Sequence, residues 1–261
     1  MSAKSADSPL KMLLSCEHAV NTIPSEWRDL FAARKAERAL ASHRGYDIGA
    51  VEVARGLRAA LRCRLLEGRA SRLLVDLNRS TGHRAQFSEF TRVLSAAERS
   101  RIEQEYYRPY VDKLRSVVAG ALERDNCVLH LSIHSFTPTL AGQQRNADVG
   151  LLYDPARAAE RGFCVRLQRV LREQGAAADS QVAASSPALR GRMPRVRRNY
   201  PYRGTADGLT TQLRREFAGH AYLGIEVELN QRLFADQSVT GEIAELLARS
   251  VRQVLQEPQS V

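Results

Sequence analysis

The sequence predicts an α/β fold: a mixed, largely parallel sheet covered by helices on both faces. Three observations predict it. Short runs rich in Leu, Val and Ile alternate with amphipathic stretches along the whole 261-residue chain. Several of the runs are almost continuously apolar, as strands buried on both faces require. No internal repeat interrupts the alternation. A chain of this length with 44% hydrophobic and 26% charged residues can bury a full core without disulfides or structural metals. A single domain over residues 1–261 is therefore expected, with the polar start, 1–9, as a flexible tail.

Taken in order, "LKMLLSC" (10–16) reads as a short buried strand. Residues 25–41 read as a helix, with Ser25 as N-cap and Glu26 and Asp29 in its first turn. "DIGAVEVARGLRAALR" (47–62) spaces Ile48, Val51, Leu57 and Leu61 along one helical face. "CRLLEG" (63–68) and "SRLLVDLN" (71–78) are two further strand candidates. The stretch from Ser95 to Asn126 reads as one long helix. It opens on a capping box, Ser95 with Glu98, and Pro109 is expected to kink or split it. "CVLHLSIH" (127–134) is β-branched and apolar enough for a central strand. "DVGLLYD" (148–154) reads as another strand, followed by a helix over 156–174. The weakly patterned stretch 174–204 is expected to hold short strand pieces and a mobile loop. "ADGLTTQLRREF" (206–217) reads as a helix, "YLGIEVELN" (222–230) as a buried strand, and 238–257 as the closing helix.

Charge and cysteines narrow the class. The formal net charge is +10, and all but four of the 39 basic residues are arginine. An arginine surplus fits an anionic ligand or nucleic acid. The arginines are scattered, however, and the densest cluster, "RGRMPRVRRN" (190–199), lacks a run of aromatics to stack bases. Nucleic acid is therefore not the expected partner. The four cysteines, Cys16, Cys63, Cys127 and Cys164, form no C-x-x-C pair, which argues against a zinc ribbon or redox motif. No apolar run approaches the ~18 residues of a membrane span, and no signal peptide is visible. A cytoplasmic protein with reduced thiols is expected.

In open α/β sheets, ligands bind beyond the carboxyl ends of the strands. Four predicted strands end in polar residues: Cys16, Glu17 and His18; Asp76, Asn78 and Arg79; His134 and Ser135; Glu226, Glu228 and Asn230. Two histidines at separate strand ends with carboxylates nearby match the N/O ligand set of zinc. Asp47 is a third-ligand candidate, with a helix N-cap as its structural alternative. Glu17 competes for the same role, although neighbours on an extended strand point to opposite faces, which separates it from His18. Arg79 suits a bidentate carboxylate contact, and Asn78 adds a donor or acceptor. Glu226 and Glu228 lie two apart on one strand and share a face, so either serves as a general base beside an activated water. Cys16 is an alternative nucleophile within an apolar strand. Ser135 lacks the glycine elbow of a serine hydrolase.

The ordered blocks "SCEHAVNTIP", "GYDIGA", "LLVDLNRS", "SIHSF", "VRRNYPYRGTADGLT" and "IEVELNQ" resemble the N-formylglutamate amidohydrolase family, from about residue 12 to 232. The resemblance implies a hydrolase-like fold similar to the zinc carboxypeptidases and aspartoacylase. It also implies hydrolysis of the amide of an N-formyl or N-acyl amino acid, a small-molecule substrate. It puts zinc on His18, Asp47 and His134, the substrate carboxylate on Asn78 and Arg79, and the base role on Glu228 with Glu226 as second candidate. "GTADGLT" with Arg198 or Tyr202 then lines the substrate side. The sequence departs from the carboxypeptidase H-x-x-E spacing, because Asn21 stands three after His18, and it carries Glu17 where relatives tend to have a small residue or proline. It therefore resembles a divergent branch. The alternative class is an arginine-rich nucleic-acid or anion-binding protein with a non-catalytic hydrolase-like fold.

Overall fold

The computed structural model describes residues 10–124, 126–177, 194–235 and 239–257. The predicted tail 1–9 and residues 178–193 of the predicted loop lie outside the described residues.

A mixed, largely parallel six-stranded sheet organises the chain. Its strands are β1 (Leu10–Cys16), β2 (Arg64–Glu67), β3 (Cys127–Phe136), β6 (Val149–Leu152), β7 (Val196–Arg198) and β8 (Tyr222–Asn230). They lie in the order β2-β1-β3-β8-β6-β7, and a two-stranded ribbon of β4 (Thr139–Leu140) and β5 (Gln143–Gln144) stands apart. β1 runs parallel to β3 with Leu10 opposite Cys127 and Ser15 opposite Ser132. β6 is parallel to β7 and antiparallel to β8. β3 and β8 are buried almost throughout, which is why their sequences lack in–out alternation. The helices are α1 (Arg34–Leu40), α2 (Ala50–Leu61), α3 (Ala96–Ile102), α4 (Arg108–Leu122), α5 (Ala158–Ala177), α6 (Leu209–Glu216) and α7 (Thr240–Gln256).

Contacts divide the chain into two compact units. The first comprises Met1–Tyr46, Leu66–Ser132 and Asp207–Ile225. Its core gathers Leu13, Trp27, Phe31, Leu74, Ile102, Leu114, Val128 and Tyr222. The second comprises Asp47–Leu65, Ile133–Ala206 and Glu226–Val261. There α7 packs on both α2 and α5. At the α2–α7 contact a side chain on Gly56 would stand 2.6 Å from the Ala244 methyl, so the two helices meet where neither has bulk.

Two predicted elements take another form. Residues 71–78 are consecutive turns, not a strand. Leu73, Leu74, Val75 and Leu77 are buried, which gives the run its strand-like composition. Its backbone instead closes locally, from Leu74 N to Ser71 O, and bonds Asp76 N to Gln86 O. Residues 25–41 form a 3₁₀ helix (Ser25–Phe31) and then α1, with Pro24 rather than Ser25 at the first N-cap. The Ser25 hydroxyl turns to Glu26. The long helical stretch begins on the predicted capping box. A π-helical turn (Glu103–Tyr107) joins α3 to α4 without leaving helical backbone angles, and Pro109 follows it in the first turn of α4. Among the described residues no helix is long and apolar enough to cross a membrane.

Candidate metal centre

His18 follows β1 directly, is 2% exposed, and has its Nε2 2.7 Å from Asp76 Oδ1. Arg72 donates to the other Asp76 oxygen at 2.8 Å, and Asn78 N donates to Oδ1 at 2.9 Å. Burial raises the Asp76 pKa, but the charges of Arg72, His18 and Arg79 outweigh it and hold the carboxyl well below the usual range. An ionised carboxylate on one imidazole nitrogen fixes the ring's orientation and raises the basicity of the other nitrogen. Asp76 is thus a positioning group that the turns of 71–78 bring under His18. A strand there would not have closed the Arg72–Asp76 pair.

His134 lies on β3 with its Nδ1 2.8 Å from Asp47 Oδ2. The same oxygen accepts from Ser135 N at 3.2 Å. Ser135 is itself pinned, donating to Ile48 O at 2.8 Å and accepting from Gln231 Nε2 at 3.1 Å. Asp47 therefore does not cap α2. The N-cap is Gly49, in the left-handed region at φ 79°. A side chain on Gly49 would stand 2.4 Å from the Phe234 ring, so glycine is required on both counts.

His18, Asp47 and His134 are all buried, and each offers one ligand atom within 4.8 Å of the others. Two imidazoles and one carboxylate fit a catalytic zinc, which takes three protein ligands and keeps one position open. Glu17 is directed elsewhere. Its carboxylate accepts from Ser132 Oγ at 2.6 Å and from the Tyr110 hydroxyl at 3.0 Å. Burial and the Glu17 charge together push the Tyr110 hydroxyl well above its ordinary pKa, so it remains a donor.

The substrate-side candidates fall into two groups. In the first unit, Asn78 Oδ1 accepts from Leu209 N at the start of α6, at 2.7 Å. Arg79 Nη1 donates to Asp207 O at 2.5 Å, while its Nε is buried with no hydrogen-bond acceptor among the described residues. Asp207 is held by Ser80, whose hydroxyl and backbone N–H both bond its carboxylate. In the second unit, Glu228 lies on β8 opposite Gly150 and is 5% exposed. Gly150 leaves the room it needs. A side chain there would stand 2.0 Å from Tyr200 O and 3.2 Å from Glu228 Cβ. Glu226, opposite Leu152, is half-buried. Tyr202 is 44% exposed, and its hydroxyl accepts from Arg145 Nη1 at 3.1 Å. Burial of the hydroxyl and the charges of Glu228 and Asp47 raise its pKa, with Arg145 opposing, so Tyr202 stands in the field of both acids. The Asn199 side chain holds the Tyr202 loop by accepting from Tyr153 N and Gly204 N. Arg198 takes a different position, exposed on the edge strand β7 beside Leu151, and makes no side-chain hydrogen bond or ion pair among the described residues. Arg145 is absent from the sequence-derived set because "AGQQRNAD" carries no periodic or motif signal. Its guanidinium lies 5.1 Å from the Tyr202 ring centre and 5.8 Å from that of Phe136.

Comparisons with known proteins give the chain a family and a fold. A family model described as N-formylglutamate amidohydrolase matches residues 10–235. Among curated proteins, none matches the chain. The crystal structure of a gene product from Agrobacterium tumefaciens is similar, with TM-score 0.74 and 28% identity, covering 96% of this chain and 91% of that one. The crystal structure of an N-formylglutamate amidohydrolase from Ralstonia eutropha JMP134 shares the fold, with TM-score 0.66 and 20% identity over 96% of each chain. With the match spanning most of its length, the chain belongs to the N-formylglutamate amidohydrolase family.

Proposed function

We propose that this protein is a metal-dependent amidohydrolase that cleaves the amide bond of an N-formyl or N-acyl amino acid, with N-formylglutamate as the model substrate. The observation that carries the reading is the buried His18, Asp47 and His134 cluster with its oriented His18. We assign zinc to it on the chemistry of the donor set. With Nε2 bound to Asp76, His18 ligates through Nδ1. When bound, a zinc ion supplies a Lewis acid that lowers the pKa of a water to about 7 and polarises the acyl carbonyl.

The chain's own residues do the rest. A Glu228 carboxylate oxygen takes the proton from the water as its oxygen attacks the acyl carbon. The same oxygen returns the proton to the amide nitrogen as the C–N bond breaks, releasing the free acid and the amine. Glu226, on the same face of β8, is the second candidate for this transfer. Arg79 binds the substrate's free carboxylate. Its buried Nε without an acceptor supports that role, because an anion there satisfies a costly donor. Asn78 sets the base of this subsite, and Tyr202 lines the acyl-amino-acid path. Arg198 belongs to the rim that substrate passes. A small-molecule substrate and a cytoplasmic location complete the reading.

Two predictions test the roles around the metal. Arg79→Ala is expected to raise KM for N-formyl-L-glutamate about 10- to 200-fold at similar kcat, since it removes a charged hydrogen bond worth about 1.5–3 kcal/mol. Steady-state kinetics on the acid and on its α-carboxamide analogue check this. An equal loss on both substrates, or only a lower Tm, would assign Arg79 to structure. Asp76→Asn is expected to weaken zinc affinity about 10- to 100-fold while the fold persists. Competition with a chromophoric chelator measures it, and unchanged affinity would remove Asp76 from the positioning role.

A further inference from the structure

A second concave site lies in the first unit, along one face of α1. Arg34, Lys35, Arg38, Ala39, Ser42 and Arg44 line a shallow, largely open depression of about 350 Å³. Four of the six are cations. Arg44 pairs with Glu89 at 2.5 Å, and Lys35 also lies in the field of that carboxylate. Arg34, Lys35 and Arg38 have no ion pair among the described residues, and all three are exposed.

The arrangement runs against ordinary helix electrostatics. Arg34 and Lys35 open α1, where the helix dipole disfavours positive charge, with Glu37 in the same turn as a partial offset. Arg34 and Arg38 are four apart and Lys35 and Arg38 three apart, spacings at which like charges repel. Arg38 alone, in the last turn, suits the dipole. The floor is fixed: Ala39 is buried, and the half-buried Ser42 donates to Ala39 O at 2.8 Å and accepts from Arg44 N at 3.2 Å. Side-chain hydrogen bonding to Arg44, with the charges of Arg44 and Lys35, lowers the Glu89 pKa, consistent with a positive field at the depression. Cations gathered against local rule around a depression of ligand size point to a binding function.

We propose that this depression binds a small phosphate ester carrying two or more phosphate groups. Guanidinium forks match phosphate oxygens in pairs, and a group of four cations that outnumbers the nearby carboxylates Glu37 and Glu89 suits a multiply charged ligand. No aromatic side chain lines the depression, so it lacks the stacking surface that single-stranded nucleic acid uses. The site is separate from the metal cluster in residues and chemistry, and it does not depend on the amidase reading.

The test uses the full-length protein with fructose 1,6-bisphosphate as probe, by isothermal titration and thermal melting at constant ionic strength. Wild type is expected to bind saturably with sub-millimolar Kd, to melt higher with the probe, and to bind inorganic phosphate at least tenfold more weakly. The combined variant Arg34→Gln, Lys35→Gln, Arg38→Gln is expected to lose probe binding at least tenfold. It is expected to keep or raise its ligand-free Tm, because the repulsion is gone. Equal binding by wild type and variant, or no saturable binding, would overturn the proposal. Tighter binding of oligo-dT through the same three residues would overturn it in favour of nucleic acid. A variant that fails to fold is replaced by Arg38→Gln alone, for which a threefold or greater loss is expected and an unchanged Kd is contradictory.

Discussion

Replacing His134 with Ala is expected to abolish stoichiometric metal binding and to reduce amide hydrolysis to background. His134 is one of three buried groups whose ligand atoms lie within 4.8 Å of one another. On the proposed assignment two protein ligands remain, and a catalytic zinc site takes three. The substitution also strips Asp47 of a 2.8 Å partner in a buried setting. Breaking a buried pair costs about 3–5 kcal/mol, so a folded variant must be verified by circular dichroism and melting. His134→Gln keeps a polar group beside Asp47 and separates loss of metal from loss of fold. Inductively coupled plasma analysis of both variants reads the outcome. Full metal content in a folded His134→Gln would remove His134 from the ligand set.

Replacing Glu228 with Gln is expected to leave metal content intact and to lower kcat by about 10²- to 10⁴-fold, the range of a lost general acid–base group. Glutamine preserves the shape that Gly150 accommodates but cannot carry the proton. KM is expected to change little, because in the proposed role the carboxylate acts on the reacting water rather than on bound substrate. Glu226→Gln provides the internal comparison, with an effect below tenfold. If Glu226→Gln shows the larger loss, the two acids exchange roles.

Much of this arrangement was legible in the residues. β1 and β8 begin and end where their apolar runs do, at Leu10–Cys16 and Tyr222–Asn230, because both are bounded by polar or turn-forming neighbours. The Ser95–Glu98 capping box fixed the start of α3 from four residues of sequence. His18 and His134 stood out because imidazoles are uncommon endings for apolar strands. Pleat geometry weighed against Glu17 as a partner of His18 but left the third ligand open between Glu17 and Asp47; the Glu17 carboxylate bonds Ser132 and Tyr110.

Other parts were not legible, for physical reasons. The run Leu73–Leu77 has a strand's composition because it is buried, but Ser71 and Asp76 draw its backbone into turns through their own side chains. Those turns carry Asp76 to His18, a contact 58 residues apart that no local pattern encodes. Trp27 and Phe31 lie four apart and mimic a helical face, yet the segment winds as a 3₁₀ helix. Arg145 is placed by tertiary contacts alone: Asn230 Nδ2 donates to its carbonyl, and two aromatic rings hold its guanidinium.

In the proposed function, the His18, Asp47 and His134 cluster is a zinc site for amide hydrolysis. The most direct measurement is elemental analysis of the purified protein beside His134→Gln, with formate release from N-formyl-L-glutamate assayed on both before and after chelation. About one zinc per chain is expected in the wild type, with activity that chelator removes and zinc restores, and neither metal nor activity in the variant. Formate release that survives complete removal of metal, and that Cys16→Ala abolishes, would contradict it.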